Sequence, residues 1–379
     1  MAPQDLLLAH SGVAKDQVAL DVEQATGGDV VVERVLGVGR MARVYVAEQL
    51  SLDRRVAVKV LLPRRGRDRR TLTRFRREAR AMAGCSHPGI VSVFSVGETA
   101  RGLPFFVMEY VEGETLEGRL RRRGKLPLQE VRRIVTAVAD ALTYAHGHGL
   151  VHRDVKPGNV LLERGSGRVL LTDFGLAKPV KSVTRVTTLT GTGELMGTPE
   201  YLSPEQAERG EVDARSDQYS LAVMAYEMLA GRLPFLGPEP QDYVRQHVED
   251  TPPWLPRIEP TIPLAVSKAV DRGLMKEPGA RYGSAEAFGQ ALSAAAEATA
   301  AAEAMPQRAW WGYERQLVQA TAIYAGAAWG VLEALTWVLE TFDLPMEFRQ
   351  PALLLVVGGL PLTLALLCYA RNRPQPVEA

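Results

Sequence analysis

Two short runs hold the side chains best suited to chemistry. His152-Arg153-Asp154-Val155-Lys156-Pro157-Gly158-Asn159 sets a carboxylate, an ammonium and an amide close together, and Asp173-Phe174-Gly175 follows after a short strand-like stretch. That order and spacing suit the transfer of a phosphoryl group from a nucleotide to a hydroxyl. In such a reaction Asp154 would accept the proton of the attacking hydroxyl, and Asn159 and Asp173 would hold Mg²⁺. Lys156 would neutralise charge on the transferred group. Either run alone is a weak signal; both in this order, with the amide at its offset, are specific.

On these residues the chain resembles the protein-kinase family, and most of all the bacterial kinases of eukaryotic (Hanks) type. Leu36-Gly37-Val38-Gly39-Arg40-Met41-Ala42-Arg43-Val44 is similar to the glycine-rich strand–turn–strand that covers the nucleotide phosphates. Glycines there let the backbone come close to phosphate oxygens. The third glycine of the pattern is Ala42, a methyl group where the turn is tight, which is expected to weaken nucleotide binding. Val56-Ala57-Val58-Lys59 resembles the strand whose lysine binds the α- and β-phosphates. Glu78, in a helical stretch from Leu72 to Ala83, is by the same resemblance the ion-pair partner of Lys59. Lys59 is also the one polar group in an apolar, β-branched run, so it belongs in a cleft.

Phe105 to Gly113 reads as a buried strand running into a polar connection. The resemblance makes this the hinge between two lobes, with Met108 at the back of the adenine pocket. It implies that the backbone groups of Glu109 and Val111 bond the adenine edge, with no role for the Glu109 side chain. It also implies that Leu36, Val44 and Ala57 roof the base and Leu161 floors it.

After Asp173 comes a threonine-rich, basic segment, Lys178 to Gly197, closing with Gly197-Thr198-Pro199-Glu200-Tyr201-Leu202-Ser203-Pro204-Glu205. By resemblance Glu205 pairs with Arg281, and Asp217 braces the catalytic-loop backbone from a helix start. Lys156 and Thr198 together imply Ser/Thr rather than Tyr as acceptor. A phosphothreonine at 184, 187, 188, 190 or 192 would pair with Arg153 and order the segment through charge-assisted contacts. Thr184, Thr187, Thr188, Thr190 and Thr192 are therefore the expected sites of autophosphorylation.

The elements that must position these groups are legible coarsely. Residues 30 to 60 alternate as antiparallel strands do, Leu126 to His146 is helical, and Asp217 to Ala230 is an apolar helix for the centre of a large lobe. The expected fold class is α+β: a two-lobed kinase fold, with a small antiparallel-sheet lobe and a larger helical one, plus C-terminal apolar helices. The kinase domain is placed at 30–298, after an extension, 1–29, that reads as a helix on the small lobe or a leader without a secretory signal. Of 379 residues only two are cysteines, Cys85 and Cys368, which excludes a disulfide framework or zinc pattern and suits a reducing compartment. Net charge is +1, and the one dense basic run, Arg64 to Arg80, has only Phe75 for stacking, so no nucleic-acid partner is expected.

The C-terminus carries the second large signal. An alanine-rich linker, 299–316, leads to an apolar run at 317–340 interrupted by Glu333, an external loop at 341–351, an uncharged run at 352–370 and a tail at 371–379. The second run would span about 28 Å as a helix, enough for a bilayer core. Basic flanks at Arg308, Arg315, Arg371 and Arg373, against an acidic connection, place both ends of this transmembrane hairpin in the cytoplasm. The kinase lobes would then face the cytoplasm at a bacterial inner membrane, in contact with membrane lipid. Ala322, Gly326, Gly330 and Ala334 recur every fourth residue, a spacing that favours close helix pairing and a homodimer.

The reading that results is a membrane-tethered serine/threonine protein kinase using ATP and Mg²⁺, with Mn²⁺ as a substitute, and acting on Ser/Thr-bearing protein substrates. A pseudokinase scaffold is the alternative that Ala42 favours. A small-molecule kinase is disfavoured by the Gly-Thr-Pro and Ser-Pro-Glu text, which builds a peptide platform in relatives.

Overall fold

The computed structural model describes residues 16–39, 42–62, 84–174, 199–208, 212–304 and scattered positions from 319 to 342. Glu78, Gly175, the five loop threonines, Thr198 and the run 352–370 lie outside the described residues. The chain divides into two units, Met1–Ala300 and Ala301–Ala379.

A five-stranded antiparallel sheet begins the first unit: β1 (Val30–Val38), β2 (Ala42–Gln49), β3 (Arg54–Leu61), β4 (Val93–Glu98) and β5 (Pro104–Glu109), in the order β1-β2-β3-β5-β4. Alternation along the strands sorts the side chains onto two faces. Tyr45, Ala47, Val56, Val58, Val60, Phe105 and Val107 share the outer face and are all buried. Their cover is α1 (Gln17–Ala25), which sets Ala19 and Val22 into that cluster. Asp16 starts the helix by accepting from the Ala19 amide at 2.9 Å. Within the 1–29 extension the packed helix covers Gln17–Ala25, and residues 1–15 lie outside the described residues.

The chain then crosses to a larger, helical part. β6 (Gly113–Thr115), β7 (Val160–Glu163) and β8 (Val169–Leu171) form a small antiparallel sheet. The chain enters it through Gly113, where a Cβ would lie 2.0 Å from the Leu162 carbonyl oxygen, so only glycine fits. Around it stand α2 (Leu116–Arg123), α3 (Leu128–Gly147), α4 (Pro204–Glu208), α5 (Ala214–Ala230), α6 (Pro240–Glu249), α7 (Leu255–Ile258), α8 (Leu264–Gly273) and α9 (Ala285–Ala304). α5 is buried on nearly every side, its polar Ser216, Asp217, Gln218 and Ser220 included. Its Leu221, Val223 and Met224 share one core with Ile134, Val138 and Leu142 of α3, Val270 of α8 and Phe288 of α9. α9 continues past residue 298, where the domain was expected to end.

In the second unit, every described position from 319 to 341 is helical, with Trp329, Val331, Trp337 and Phe342 exposed. No helix among the described residues is long and apolar enough to cross a membrane.

Candidate active site

Sheet register assembles the upper half of the site. Lys59 of β3 lies opposite Val44 of β2 and Phe106 of β5, while Ala57 lies opposite Met108. Partners in an antiparallel pair share a face. Val44, Ala57, Lys59 and Met108 therefore line the side of the sheet opposite α1. Lys59 reaches across to the large lobe, its Nζ 2.5 Å from Asp173 Oδ1. Gly37 and Gly39 do not need positive φ, and a Cβ on Gly37 would meet nothing within 4 Å. Ala42 pairs as an ordinary strand residue with Leu61, accepts from the Gly39 amide at 2.9 Å and does not have positive φ.

The lower half is a loop and a hairpin. Asp154, Lys156 and Asn159 stand just before β7, and Asp173 stands just after β8. The Thr172 amide donates to the Asn159 carbonyl at 2.9 Å, which closes the base of the hairpin and sets Asn159 beside Asp173. Asn159 Nδ2 donates to the Asp154 carbonyl at 2.7 Å and to its Oδ2 at 3.1 Å. Lys156 Nζ lies 2.9 Å from the same Oδ2. Leu161, half-buried on β7, sits between the two metal-ligand positions.

Two non-glycine residues in this loop, Arg153 (φ 63°) and Asp173 (φ 61°), have left-handed backbone. Such backbone is unfavourable and persists only when its surroundings over-determine it. At Arg153 it is Asp217 that supplies the constraint: Oδ1 accepts from the Arg153 amide and Oδ2 from the His152 amide, both at 2.7 Å, and His146 Nε2 lies 2.8 Å from Oδ2. Asp217 lies in the first turn of α5 but does not cap it; Asp213 does. Burial depresses the His152 pKa, so the ring is neutral. Its Nδ1 accepts from the Asp154 amide at 3.2 Å, and its Nε2–H therefore donates to the Thr172 carbonyl at 3.0 Å. One imidazole thus ties the catalytic loop to the hairpin.

Below the loop, Arg281 clamps Glu205 with two bonds of 2.8 Å and also donates to the Met275, Arg215 and Lys276 carbonyls. Gln206 Nε2, one residue on, holds the Arg153 carbonyl at 3.2 Å. Beside this clamp sits His247 of α6, fully buried and not expected from sequence. Tyr219 donates its hydroxyl to His247 Nδ1 at 2.9 Å, and Nε2–H donates to the Glu200 carbonyl at 3.0 Å. Burial lowers the His247 pKa from 6.5 to about 4. The unfolded chain takes up this proton first, so the stabilisation is complete above pH 6.5 and is lost as pH falls toward 4. A shift of that size is worth about 3 kcal/mol. Urea unfolding at pH 7.5 and pH 5 is expected to show a smaller stability difference in His247→Gln than in the parent.

One expectation needs amendment. The Glu109 side chain is not idle: Oε1 takes a 2.7 Å bond from Arg168 Nη2 across the hinge, and Arg168 also pairs with Glu163. Lys59 finds its described carboxylate partner in Asp173, while its expected partner Glu78 falls outside the described residues. Leu36 is half-exposed at the rim of the glycine-rich strand, and Val111 is half-buried after β5. The Glu109 side-chain role and His247 escaped sequence reading because both depend on neighbours distant in the chain.

Oxygen donors of the type Mg²⁺ takes are present in the Asn159 amide and the Asp173 carboxylate, so the pair fits that cation. With Asn159 Nδ2 committed to Asp154, its amide oxygen is the end left for a ligand. Among the described residues no cluster of three or more His, Cys, Asp or Glu side chains could hold a metal.

With this geometry in view, comparison with known proteins is informative. The family model for the protein kinase domain matches residues 30–291. Serine/threonine-protein kinase PrkC of Bacillus subtilis is 39% identical over 253 residues, covering 67% of this chain and 38% of its own length. Serine/threonine-protein kinase pkn3 of Myxococcus xanthus is 39% identical over 282 residues, 73% of this chain and 52% of its own. PknB of Mycobacterium leprae is 41% identical over 251 residues, 65% of this chain and 40% of its own. The chain thus spans about half or less of the length of these curated relatives. The crystal structure of the Mycobacterium tuberculosis PknI kinase domain superposes with a TM-score of 0.57 at 34% identity, covering 70% of this chain and 96% of that one.

Proposed function

The chain belongs to the protein kinase family, and from that premise we propose that it transfers the γ-phosphate of ATP to Ser and Thr hydroxyls of proteins. The observation that carries this reading is the Lys59–Asp173 ion pair, which joins the two lobes over the Asp154–Lys156–Asn159 cluster. The substrate hydroxyl oxygen attacks the γ-phosphorus, the bond to the bridging oxygen of ADP breaks, and Asp154 takes the hydroxyl proton. Lys59 holds the α- and β-phosphates, and Lys156 offsets charge on the phosphoryl group in transfer. Mg²⁺, or Mn²⁺ in its place, would be held by Asn159 and Asp173 and would supply neutralisation of the phosphate oxygens. Leu36, Gly37, Gly39, Val44, Ala57, Met108, Val111 and Leu161 surround the nucleotide in this reading, with Glu109 bonding the base through its backbone.

The finer part of the proposal is a membrane tether and self-phosphorylation of the threonine-rich segment. The uncharged run 352–370 and the exposed Trp329, Val331, Trp337 and Phe342 support the tether. Close pairing of two copies through Gly326 and Gly330 would bring one molecule's threonines to the other's Asp154. The test incubates the full chain in membranes with ATP and Mg²⁺ and maps phosphosites beside Asp154→Asn. Label on the loop threonines in the parent alone is expected, with membrane association lost on removing residues beyond 305. A parent protein that labels no peptide hydroxyl overturns the activity. A truncated chain that stays with the membrane overturns the tether.

A further inference from the structure

The matched family region begins at Val30, yet α1 and its cap Asp16 precede it and reach the glycine-rich hairpin directly. The Asp16 carboxylate gathers three donors: the Ala19 amide at 2.9 Å, Arg43 Nη1 at 2.5 Å and the Tyr45 hydroxyl at 2.9 Å. Burial works against its charge, but these bonds hold its pKa below the usual carboxylate range. Arg43 and Tyr45 flank Val44 on β2, and successive strand residues face opposite ways. Fixing Arg43 and Tyr45 on the outer face therefore aims Val44 at the cleft, across from Lys59.

The hairpin needs such support. Among the described residues β1 is an edge strand paired on one side only, its register slips at Val32/Arg34 and at Val35/Gly37, and residues 33–38 are exposed. α1 fastens it at a second point, where Glu23 Oε1 accepts from the Val32 amide at 2.8 Å. The helix is itself anchored at the far side of the sheet by the Asp21–Arg101 ion pair. Tyr45 is 1% exposed and its hydroxyl bonds both Asp16 and Arg43, so the three side chains form one network.

We propose that Asp16 is a positioning residue for the nucleotide: through Arg43 and Tyr45 it sets the root of the glycine-rich hairpin, so residues 16–25 belong to the ATP-binding machinery. This rests on the kinase reading above. A hairpin held in place before binding loses less freedom when it closes on phosphate, and that saving appears as affinity.

The test uses the full chain with Asp16→Ser, which keeps a helix cap but is too short and uncharged for Arg43 and Tyr45. Tyr45→Phe, which leaves the ring packed, and Arg43→Gln complete the set. Loss of charge-assisted bonds is expected to raise the KM and Kd for ATP about three- to ten-fold in Asp16→Ser. Under the same change kcat is expected to stay within about two-fold, since only nucleotide binding is touched. KM for a peptide substrate stays unchanged, and Asp16→Ser combined with Arg43→Gln is no worse than either alone. Unaltered ATP affinity with a lowered melting temperature would show that the helix only stabilises the fold, and would overturn the proposal. Strictly additive single effects would overturn it too. A parent chain that binds ATP but transfers no phosphate defeats the kinase reading alone, since the affinity comparison still decides this one; a parent that binds no ATP defeats both.

Discussion

Asp154→Asn is expected to lower kcat by about 10²- to 10⁴-fold, the range set by loss of a positioned general base. The substitution keeps the shape of the side chain and an oxygen for Lys156, whose Nζ lies 2.9 Å from Oδ2 in the parent. What it removes is the capacity to accept a proton. KM for ATP should stay within about two-fold, because Asp154 is not among the groups that hold the nucleotide or its cation in the proposed mechanism. Lys59→Met makes the contrast. It strips the cation from Asp173 and from the phosphates, so KM for ATP and kcat should both suffer. Steady-state phosphotransfer to a peptide, with ATP and peptide varied separately, separates the two patterns. Asp154→Asn retaining more than about a tenth of the parent rate would remove Asp154 from the role of base.

The second large effect is on stability. Arg281→Met is expected to cost about 3–5 kcal/mol, as removing one partner of a buried ion pair does. Glu205 is 8% exposed, and without Arg281 its carboxylate would be buried and uncompensated. Three carbonyls, those of Met275, Arg215 and Lys276, lose a donor at the same time. In the parent, burial works to raise the Glu205 pKa, but bonds from Arg281 and Ser216 hold it below the usual value. A depressed carboxylate pKa gives stability that is present above the unfolded value of 4.5 and lost as pH falls through the folded one. Removing Arg281 should reverse that shift, so the stability gap between variant and parent should narrow in acid. Urea unfolding at pH 7 and pH 4.5 checks both the magnitude and the narrowing. Glu205→Leu combined with Arg281→Met should recover part of the loss, since no lone charge remains.

Legibility in the sequence followed how local each role is. Asp154, Lys156, Asn159 and Asp173 could be read because fixed spacing on a loop and a hairpin is itself the signal. The Glu205–Arg281 pair, distant in sequence, was reached only through resemblance, and the bonds Arg281 makes to three carbonyls were not anticipated. His247 shows the limit most clearly. Nothing in Val244 to Glu249 distinguishes it from a surface histidine on an amphipathic helix, and only Tyr219 and the Glu200 carbonyl give it work. α1 was ambiguous for a similar reason: a short helix of low hydrophobicity is marginal in isolation, and its stability comes from a sheet face that the sequence does not display. Ala42 read as a defect because a pattern demanded glycine there, whereas the backbone at that position is plain strand.

The hairpin that carries Asn159 and Asp173 also bears on how the protein acquires activity after synthesis. Closing Asn159 against Thr172 spans about a dozen residues, whereas Lys59 and Asp173 must meet across more than roughly a hundred. Chain entropy favours the short closure first, so the cation-holding half can form while the lobes are still apart. During refolding, recovery of native hairpin structure should then precede recovery of tight ATP binding, with the interval reporting how long the lobes take to find one another.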